Sequence, residues 1–231
     1  MSGLAKHGNF HNYYKFNTPE NRLRQLDQLS LFEGRGDNTQ RVFNVLDVGC
    51  NENCCKEKSG YQYKINTLGV DLDSVLIDRA KEKSKDNPNV SFGRLDMLDE
   101  MTNVQQITQD FLSARGSTQF DLVVCFSITM WIHLNHGDQG LLQFLDRVSD
   151  LTLNFLIIEP QPWSCYKSAV KRHKKVGAEV HPLFSVINIR NDVEEKIKEH
   201  LSSNCGMAVK QELGVTDWGR GVSLYQRNNK L

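Results

Sequence analysis

The sequence lacks the segments that direct a chain into or across a membrane. Its first eight residues, Met1 to Gly8, contain no apolar core of the kind that a signal peptide needs. One of its longest apolar runs, Leu153 to Ile158, is far too short to span a bilayer. We therefore expect a chain of the cytoplasm, with the nucleus as a second compartment, and no membrane partner.

Charge of one sign and repetition are also missing. The 231 residues carry 28 basic and 28 acidic side chains, only 5 prolines, no low-complexity run and no internal repeat. This length favours one well-packed domain over residues 1–231. A protein that binds long nucleic acids through charge alone would be more basic, so we expect any RNA contact to be local.

Cysteines are present, but not in a pattern that holds a metal. Cys50, Cys54 and Cys55 lie together, yet no Cys-x-x-Cys pair is repeated at the spacing of a structural zinc site. Without a secretory signal, all six cysteines indicate reduced thiols. We expect no metal.

What the sequence does contain is an alternation of apolar runs and amphipathic stretches. The runs are typical of strands buried on both faces of a sheet, and the stretches between them have helical spacing, which together predict a parallel sheet covered by helices. The predicted strands are Val42–Val48, Asn66–Asp71, Val90–Leu95, Phe120–Ser127 and Asn154–Glu159, and the predicted helices are Ser74–Asp86, Asn103–Arg115 and Gln139–Leu151.

The two ends of the chain differ from this pattern. After a helix predicted over Asp192–Ser203, two strand-like segments, Ala208–Leu213 and Gly221–Gln226, follow so closely that they indicate an antiparallel hairpin. Residues 1–40 form an amino-terminal arm with a short amphipathic helix from Arg22 to Leu29. The whole predicts the α/β Rossmann-like fold of class I methyltransferases, a mostly parallel seven-stranded sheet with helices on both faces.

Acidic residues follow three neighbouring strands of this sheet. Asp47 and Gly49 end the first strand, Asp71 ends the second about twenty residues later, and Asp96 ends the third. Ligands bind beyond the carboxyl ends of such strands, and a carboxylate can accept both hydrogen bonds of a ribose diol. The alternative is that these acids only cap the helices that follow them.

The turn after the first strand lacks the glycines of a dinucleotide site. Gly-x-Gly-x-x-Gly is replaced by the sequence Gly-Cys-Asn-Glu-Asn-Cys from Gly49 to Cys54, which offers no cradle for a pyrophosphate. S-adenosylmethionine, which has no phosphate, is therefore a better ligand for this turn than NAD.

Two longer strings carry a family resemblance. The segment Met130–Asp138, Met-Trp-Ile-His-Leu-Asn-His-Gly-Asp, and the segment Glu159–Tyr166, Glu-Pro-Gln-Pro-Trp-Ser-Cys-Tyr, resemble the bicoid-interacting family of RNA 5′-end methyltransferases, as does Gly8-Asn-Phe with Tyr13-Tyr14. His136 stands where the capping branch of that family carries tryptophan, which favours the RNA 5′-monophosphate methyltransferase branch.

The resemblance implies a binding site for S-adenosylmethionine that extends the acids described above. It contains Arg22, Asn51, Asp71, Asp96, Met97 and Phe126. Arg22 would bring the amino-terminal helix over the cofactor to meet its carboxylate. The chain departs from the family pattern at Asn53, where relatives carry glycine, and in the short segment from Cys54 to Tyr63.

Methylation of a phosphate oxygen needs in-line geometry and charge balance rather than a general base, because a phosphate monoester is already anionic. Lys, Arg, His and backbone N–H groups can balance the charge of the phosphate. The candidates around the reacting phosphate are His133 and His136, in a loop expected over Met130–Asp138 after the fourth strand, and Tyr166 and Lys167 after the fifth strand. Tyr13, Tyr14 and Lys15 would close over the site from the arm. Trp131 and Trp163 could stack on the terminal base, or they could simply pack in the core.

Lys167 to Lys175 holds five basic residues and no acid, and on a helix they would form a basic stripe, with Lys171 and Arg172 suited to the RNA backbone. A solubilising surface is the alternative. The expected partner is the 5′ end of a small structured RNA such as a tRNA or microRNA precursor, without DNA, and the expected state is a monomer. Two rival functions remain open: a small-molecule methyltransferase, and a non-catalytic RNA-binding adaptor on the same fold.

Overall fold

The structure, a computed structural model, describes residues 7–8, 41–52, 63–177 and 181–228. Its described strands form one seven-stranded sheet with the order β3-β2-β1-β4-β5-β7-β6. Strands β1 to β5 run parallel, and β7 is antiparallel to both β5 and β6. The bounds are β1 Arg41–Val48, β2 Tyr63–Asp71, β3 Val90–Arg94, β4 Phe120–Phe126, β5 Thr152–Glu159, β6 Met207–Val215 and β7 Gly221–Arg227.

Five α-helices are described in the same part of the chain. They are α1 Ser74–Lys83, α2 Met101–Ser113, α3 Thr129–Asp150, α4 Trp163–Lys175 and α5 Val193–Ser203, and a 3-10 turn covers Pro182–Ser185. None of these helices combines the length and the apolar content needed to cross a bilayer.

Successive side chains of β1 lie on opposite faces of the sheet, so the core is divided between the two faces. Leu46 and Val48 belong to a large cluster that includes the buried sides of α2, α3, α4 and α5. Val45 belongs to a smaller cluster on the other face with residues of β4, β5 and β7. Since parallel crossovers are right-handed, α1, which connects β2 to β3, covers the face opposite to α2 and α3.

The parallel arrangement gathers the ends of β1 to β5 at one edge of the sheet, here called the carboxyl edge; the opposite edge is called the amino edge. Ligands of open α/β sheets bind at the carboxyl edge. The predicted fold is confirmed, including five parallel strands and the antiparallel hairpin. The predicted arm over residues 1–40 and the segment from Asn53 to Gln62 lie outside the described residues, apart from His7 and Gly8.

One structural prediction is wrong. The segment from Met130 to Asp138 was expected to be a loop after β4, but it forms the first two turns of α3. Gly137 interrupts the helix with φ 69° and ψ −171°, so the chain bends there before it continues to Asp150. A positive φ of this kind suits glycine, which has no Cβ to clash.

Candidate active site

The turn after β1 is held against the end of β2 by backbone hydrogen bonds. Gly49 has a φ of 72° and donates its N–H to the Val70 carbonyl at 2.8 Å. Asn51 is buried and also left-handed, with a φ of 56°, a conformation that asparagine tolerates better than most residues. Its N–H donates to Oδ2 of Asp71 at 2.9 Å. The turn is thereby fixed to the acid that ends the next strand.

Asp71 is not a helix cap. Its Oδ1 accepts the N–H of Asp73 at 3.0 Å, and it is Asp73 that caps α1, through bonds from the N–H groups of Val75 and Leu76. Burial raises the pKa of Asp71, although the N–H groups of Asp73 and Asn51 act in the opposite direction. A half-buried carboxylate presented beside a glycine turn is the arrangement that binds ribose hydroxyls in this class of sheet.

Asp96 and Met97 follow β3 on the same edge. Asp96 is half-buried, and its Oδ1 accepts the N–H of Leu98 at 2.8 Å, so it does cap its own turn. Met97 is buried, and its carbonyl accepts a hydrogen bond from Arg147 of α3 at 2.6 Å. A cavity of about 330 Å³ opens here; its lining is Leu72, Arg94, Leu95, Asp96, Asp99, Asn103, Gln106 and Ile107.

These features fit the adenosyl half of S-adenosylmethionine. The left-handed turn at Gly49 and Asn51 lets the backbone approach a ligand closely. The cavity beyond β2 and β3 combines apolar side chains with two acids, Asp96 and Asp99. Asp47 is buried at the end of β1, and Phe126 is half-buried at the end of β4. Arg22 lies outside the described residues.

His133 and Tyr166, both predicted to hold the phosphate, are instead fully buried against each other. Both side chains have 0% exposure, and Nδ1 of His133 lies 3.0 Å from the hydroxyl of Tyr166. Nε2 of His133 lies 2.8 Å from Oδ1 of Asp138. In this conformation neither side chain reaches the surface, so their predicted contact with a phosphate gains no support.

The bend at Gly137 explains how Asp138 reaches back to His133. The same carboxylate accepts hydrogen bonds from the N–H of Asn188 at 2.9 Å and the N–H of Ile189 at 3.2 Å. Asp138 therefore joins the first turns of α3 to the segment that follows the 3-10 turn. The network connects three separate parts of the chain through one buried histidine.

The pKa values in this network follow from burial and bonding. Burial lowers the pKa of His133, although Asp138 opposes the shift. Burial alone would raise the pKa of Asp138, but hydrogen bonds from His133, Asn188 and Ile189 outweigh it and lower the pKa. Burial raises the pKa of Tyr166 above its ordinary value. His133 is thus kept neutral and Tyr166 protonated at neutral pH.

The two tryptophans predicted to stack on a base, Trp131 and Trp163, pack against other residues of the protein. Trp131 is 8% exposed, lies 6.0 Å from the His181 ring, and contacts the backbone of Gly8, where any Cβ would clash with the indole. Trp163 stacks on Phe184 with the ring centroids 5.1 Å apart and lies 4.8 Å from Tyr166. These neighbours favour the packing alternative over base stacking for both rings.

The remaining predicted residues lie at the surface. His136, Lys167, Lys171 and Arg172 are all exposed, the last three on α4 together with Lys174 and Lys175. The basic stripe is therefore real as a surface feature. Tyr13, Tyr14 and Lys15 lie outside the described residues.

A second polar cluster was not predicted. Glu159, at the end of β5, is bonded to Ser127 at the end of β4 and to Trp218 and Arg220 in the turn between β6 and β7. Gln161 bonds the start of α3. Glu159 and Gln161 lie within one of the strings used for the family resemblance, but their partners are 31 to 61 residues away, so no local spacing could reveal them.

The fold is shared with solved methyltransferases. The N-methyltransferase NodS from Bradyrhizobium japonicum WM9, in complex with S-adenosyl-L-homocysteine, superimposes with a TM-score of 0.57 at 16% identity, covering 94% of this chain and 91% of that one. Magnesium protoporphyrin IX methyltransferase from Synechocystis PCC 6803, with bound SAH, gives a TM-score of 0.51 at 13% identity over 81% of this chain and 75% of that one. The sheet, its glycine turn and its strand-end acids define a class I methyltransferase fold.

Sequence relatives narrow this class. Residues 120–227 match the family model described as Bicoid-interacting protein 3. The pre-miRNA 5′-monophosphate methyltransferase of Danio rerio is 38% identical over 97% of this chain and 93% of its own length. The RNA 5′-monophosphate methyltransferase of Homo sapiens is 35% identical over 99% of this chain and 83% of its own length. The chain belongs to the bicoid-interacting protein 3 family.

Proposed function

We propose that this protein transfers the methyl group of S-adenosylmethionine to an oxygen of the 5′-monophosphate of an RNA. The observation that carries the proposal is the extent of the similarity: relatives named for this reaction match across almost the whole chain, at 38% and 35% identity. A pre-miRNA, or another small RNA with a structured 5′ end, is the proposed substrate class.

The strand ends support the cofactor half of the proposal. Asp71 would accept hydrogen bonds from the ribose hydroxyls, Asp96 and Met97 would meet the adenine, and Phe126 would cover its face. When bound, S-adenosylmethionine supplies an electrophilic methyl group. Asn51 keeps Asp71 oriented through its N–H, at 2.9 Å from Oδ2. Asp47 and Gly49 complete the turn.

The substrate half of the proposal depends on positioning. A phosphate monoester is already a nucleophile at neutral pH, so the side chains need only align it with the methyl group and balance its charge. His136 and Lys167 are the exposed candidates for the phosphate among the described residues, and Tyr13, Tyr14 and Lys15 of the arm stay predictions. His133 and Tyr166 would act indirectly, because the contact between them fixes the helix turn that carries His136.

The basic stripe on α4 is the proposed contact for the RNA backbone. Lys171 and Arg172 are exposed and have no acidic residue within the helix beside them. A neutral overall charge with one local basic face suits the recognition of an RNA end. A monomeric state, a single domain and a cytoplasmic or nuclear location stay predictions.

The test is to incubate the pure protein with methyl-labelled S-adenosylmethionine and one hairpin RNA prepared with a 5′-monophosphate, a 5′-triphosphate or a 5′-hydroxyl. We expect label on the monophosphate RNA alone, and the labelled ends should resist phosphatase. Label on all three RNAs would place the methyl group elsewhere on the RNA.

Calorimetric titration with S-adenosylmethionine in parallel separates the rival functions. Cofactor binding without label on any RNA would favour a small-molecule methyltransferase. Absence of both binding and label would favour the adaptor on a methyltransferase fold.

A further inference from the structure

The turn between β6 and β7 lies at the carboxyl edge. Because β7 is antiparallel to β5, with Ile158 opposite Ser223, the residues just before β7 lie beside the end of β5. The turn is tight: the Thr216 N–H donates to the Arg220 carbonyl, and the Gly219 N–H donates to the Thr216 carbonyl, both at 2.8 Å. The hairpin thus delivers Trp218 and Arg220 to the edge where the cofactor is proposed to bind.

Both side chains are directed at one buried carboxylate. Glu159 has 0% exposure, and its Oε1 accepts hydrogen bonds from Nε1 of Trp218 at 2.9 Å, from Nη1 of Arg220 at 3.2 Å and from the hydroxyl of Ser127 at 2.6 Å. Nη1 of Arg220 also lies 2.6 Å from the Ser127 Oγ. A buried carboxylate requires this degree of pairing, because an unpaired one would be costly.

Ser127 is the point at which this cluster acts on the site. It has a left-handed φ of 56°, which is strained for a serine and persists only where the surroundings fix it. Its N–H donates to the Glu159 carbonyl at 3.1 Å, and its own carbonyl accepts from Nε2 of Gln161 at 2.5 Å. Every polar group of this residue is therefore tied to β5, to the segment after β5, or to Arg220.

The neighbours of Ser127 are parts of the proposed site. Phe126 precedes it. The following Ile128 packs on the turn after β1, here called the cofactor turn, so closely that a Cβ on Gly49 would lie 3.0 Å from the Ile128 Cδ1. Gln161 also accepts hydrogen bonds from the Thr129 hydroxyl and the Met130 N–H, both at 3.0 Å. A shift of Ser127 would move both the cofactor contact and the start of α3.

We propose that Trp218 and Arg220 are positioning residues for methyl transfer: through Glu159 they hold Ser127 in its left-handed conformation and so fix Phe126 at the end of β4 and Ile128 against the cofactor turn. The inference rests on the proposed function. It assigns to the hairpin at the sheet edge a part in setting the geometry of the reaction, in addition to its part in closing the sheet.

The test compares two arginines of the same hairpin. Arg220 acts at the carboxyl edge, whereas Arg227, at the other end of β7, donates to the carbonyls of Thr152 and Ser149 at the amino edge. Each would be changed to methionine, and both variants would be assayed well below their melting temperatures. Kinetics with 5′-monophosphate hairpin RNA and calorimetry with S-adenosylmethionine provide two independent measurements.

For Arg220→Met we expect kcat to fall by about 10- to 100-fold, with KM for RNA changed by less than about threefold, because misplacement of reacting groups acts on the rate. We also expect weaker binding of S-adenosylmethionine. Arg227→Met should lower the melting temperature and leave kcat and cofactor affinity unchanged. Equal values of kcat and cofactor affinity in the two variants would overturn the proposal.

A double variant separates positioning from charge neutralisation. Glu159→Gln combined with Arg220→Met removes the buried negative charge that Arg220→Met alone would leave without the guanidinium of Arg220. Recovery of the melting temperature without recovery of kcat supports positioning, whereas recovery of both overturns it. If wild-type protein labels no RNA, the proposed function fails, and the calorimetric comparison of the two arginine variants still decides this inference.

Discussion

The two halves of the carboxyl edge are built in different ways. In the half formed by β1, β2 and β3, carboxylates bond the backbone: Asp71 accepts the N–H groups of Asn51 and Asp73, and Asp96 accepts that of Leu98. In the half formed by β4, β5 and β7, side chains bond side chains from distant elements, as Glu159 and Arg220 do. In our proposal the first half presents its acids to the cofactor, whereas the second half uses its polar groups to hold helices and turns in place.

The largest expected effect tests the first half. Asp71→Ala removes the acceptor for the proposed ribose hydroxyls and for the Asn51 N–H, and hydrogen bonds to a charged group contribute about 1.5–3 kcal/mol each. We expect the affinity for S-adenosylmethionine, measured by calorimetry, to fall by about 100-fold or more.

A matched control for Asp71 is available at the amino edge. Asp121 also accepts a backbone N–H, that of Asn44 at 2.9 Å, and burial raises its pKa as it raises that of Asp71. Asp121→Ala should destabilise the fold without weakening cofactor binding. Equal losses of affinity in the two variants would mean that Asp71 supports the fold rather than the ligand.

The next largest effect concerns the binding of RNA at α4, the helix that follows β5 in the second half of the carboxyl edge. Reversing the charge of Lys171 and Arg172 should raise KM for RNA by roughly tenfold and reduce its dependence on salt, because fewer phosphates are neutralised. Cofactor affinity should be unaffected. The same reversal of Lys81 and Lys85, at the end of α1 and beyond it, is the control and should leave KM unchanged. A KM equal to that of wild type in the α4 variant would identify the stripe as a solubilising surface.

A smaller effect follows from the pH dependence of stability. Burial lowers the pKa of His133, so the unfolded chain binds its proton more readily, near the ordinary pKa of about 6.5. This contribution to stability is present above that pH and is lost as the pH falls through the lower pKa of the folded state. We expect the melting temperature to fall between pH 7.5 and pH 5.

The histidine responsible can be identified by substitution. His133→Gln should flatten the fall in melting temperature, although not abolish it, because burial and Arg172 also lower the pKa of His173. Replacement of the exposed His136 by glutamine is the control for removing a histidine from the same helix. An unchanged slope in His133→Gln would show that His133 is not a source of the dependence.

The smallest effect separates two roles for Tyr166. Tyr166→Phe deletes one hydrogen bond to His133, at 3.0 Å, which is worth about 1 kcal/mol and corresponds to a shift of about 2–4 °C for a domain of this size. We expect this shift in melting temperature with KM for RNA unchanged. An increase in KM of tenfold would mean that the hydroxyl contacts the phosphate, as the sequence alone suggested.

The difference between the two halves also explains what could be predicted from the sequence. The strands, the hairpin and the acids after β2 and β3 follow from hydrophobic period and local spacing, which are properties of short segments. The helical form of Met130–Asp138 was missed because its start carries no capping side chain of its own; Gln161, after β5, accepts the Met130 N–H instead. The Glu159 cluster was missed because its partners are distant in the sequence and meet only in the folded sheet.

The position of β7 has a consequence for the synthesis of the protein. It is the last strand of the described sheet in sequence order, yet it lies between β5 and β6. A growing chain therefore leaves the ribosome with one edge of β5 open, and an open edge can pair with other chains. Arg220 emerges immediately before β7, so the event that covers this edge also brings the guanidinium to Glu159. A chain interrupted before this point would be prone to aggregate rather than partly active.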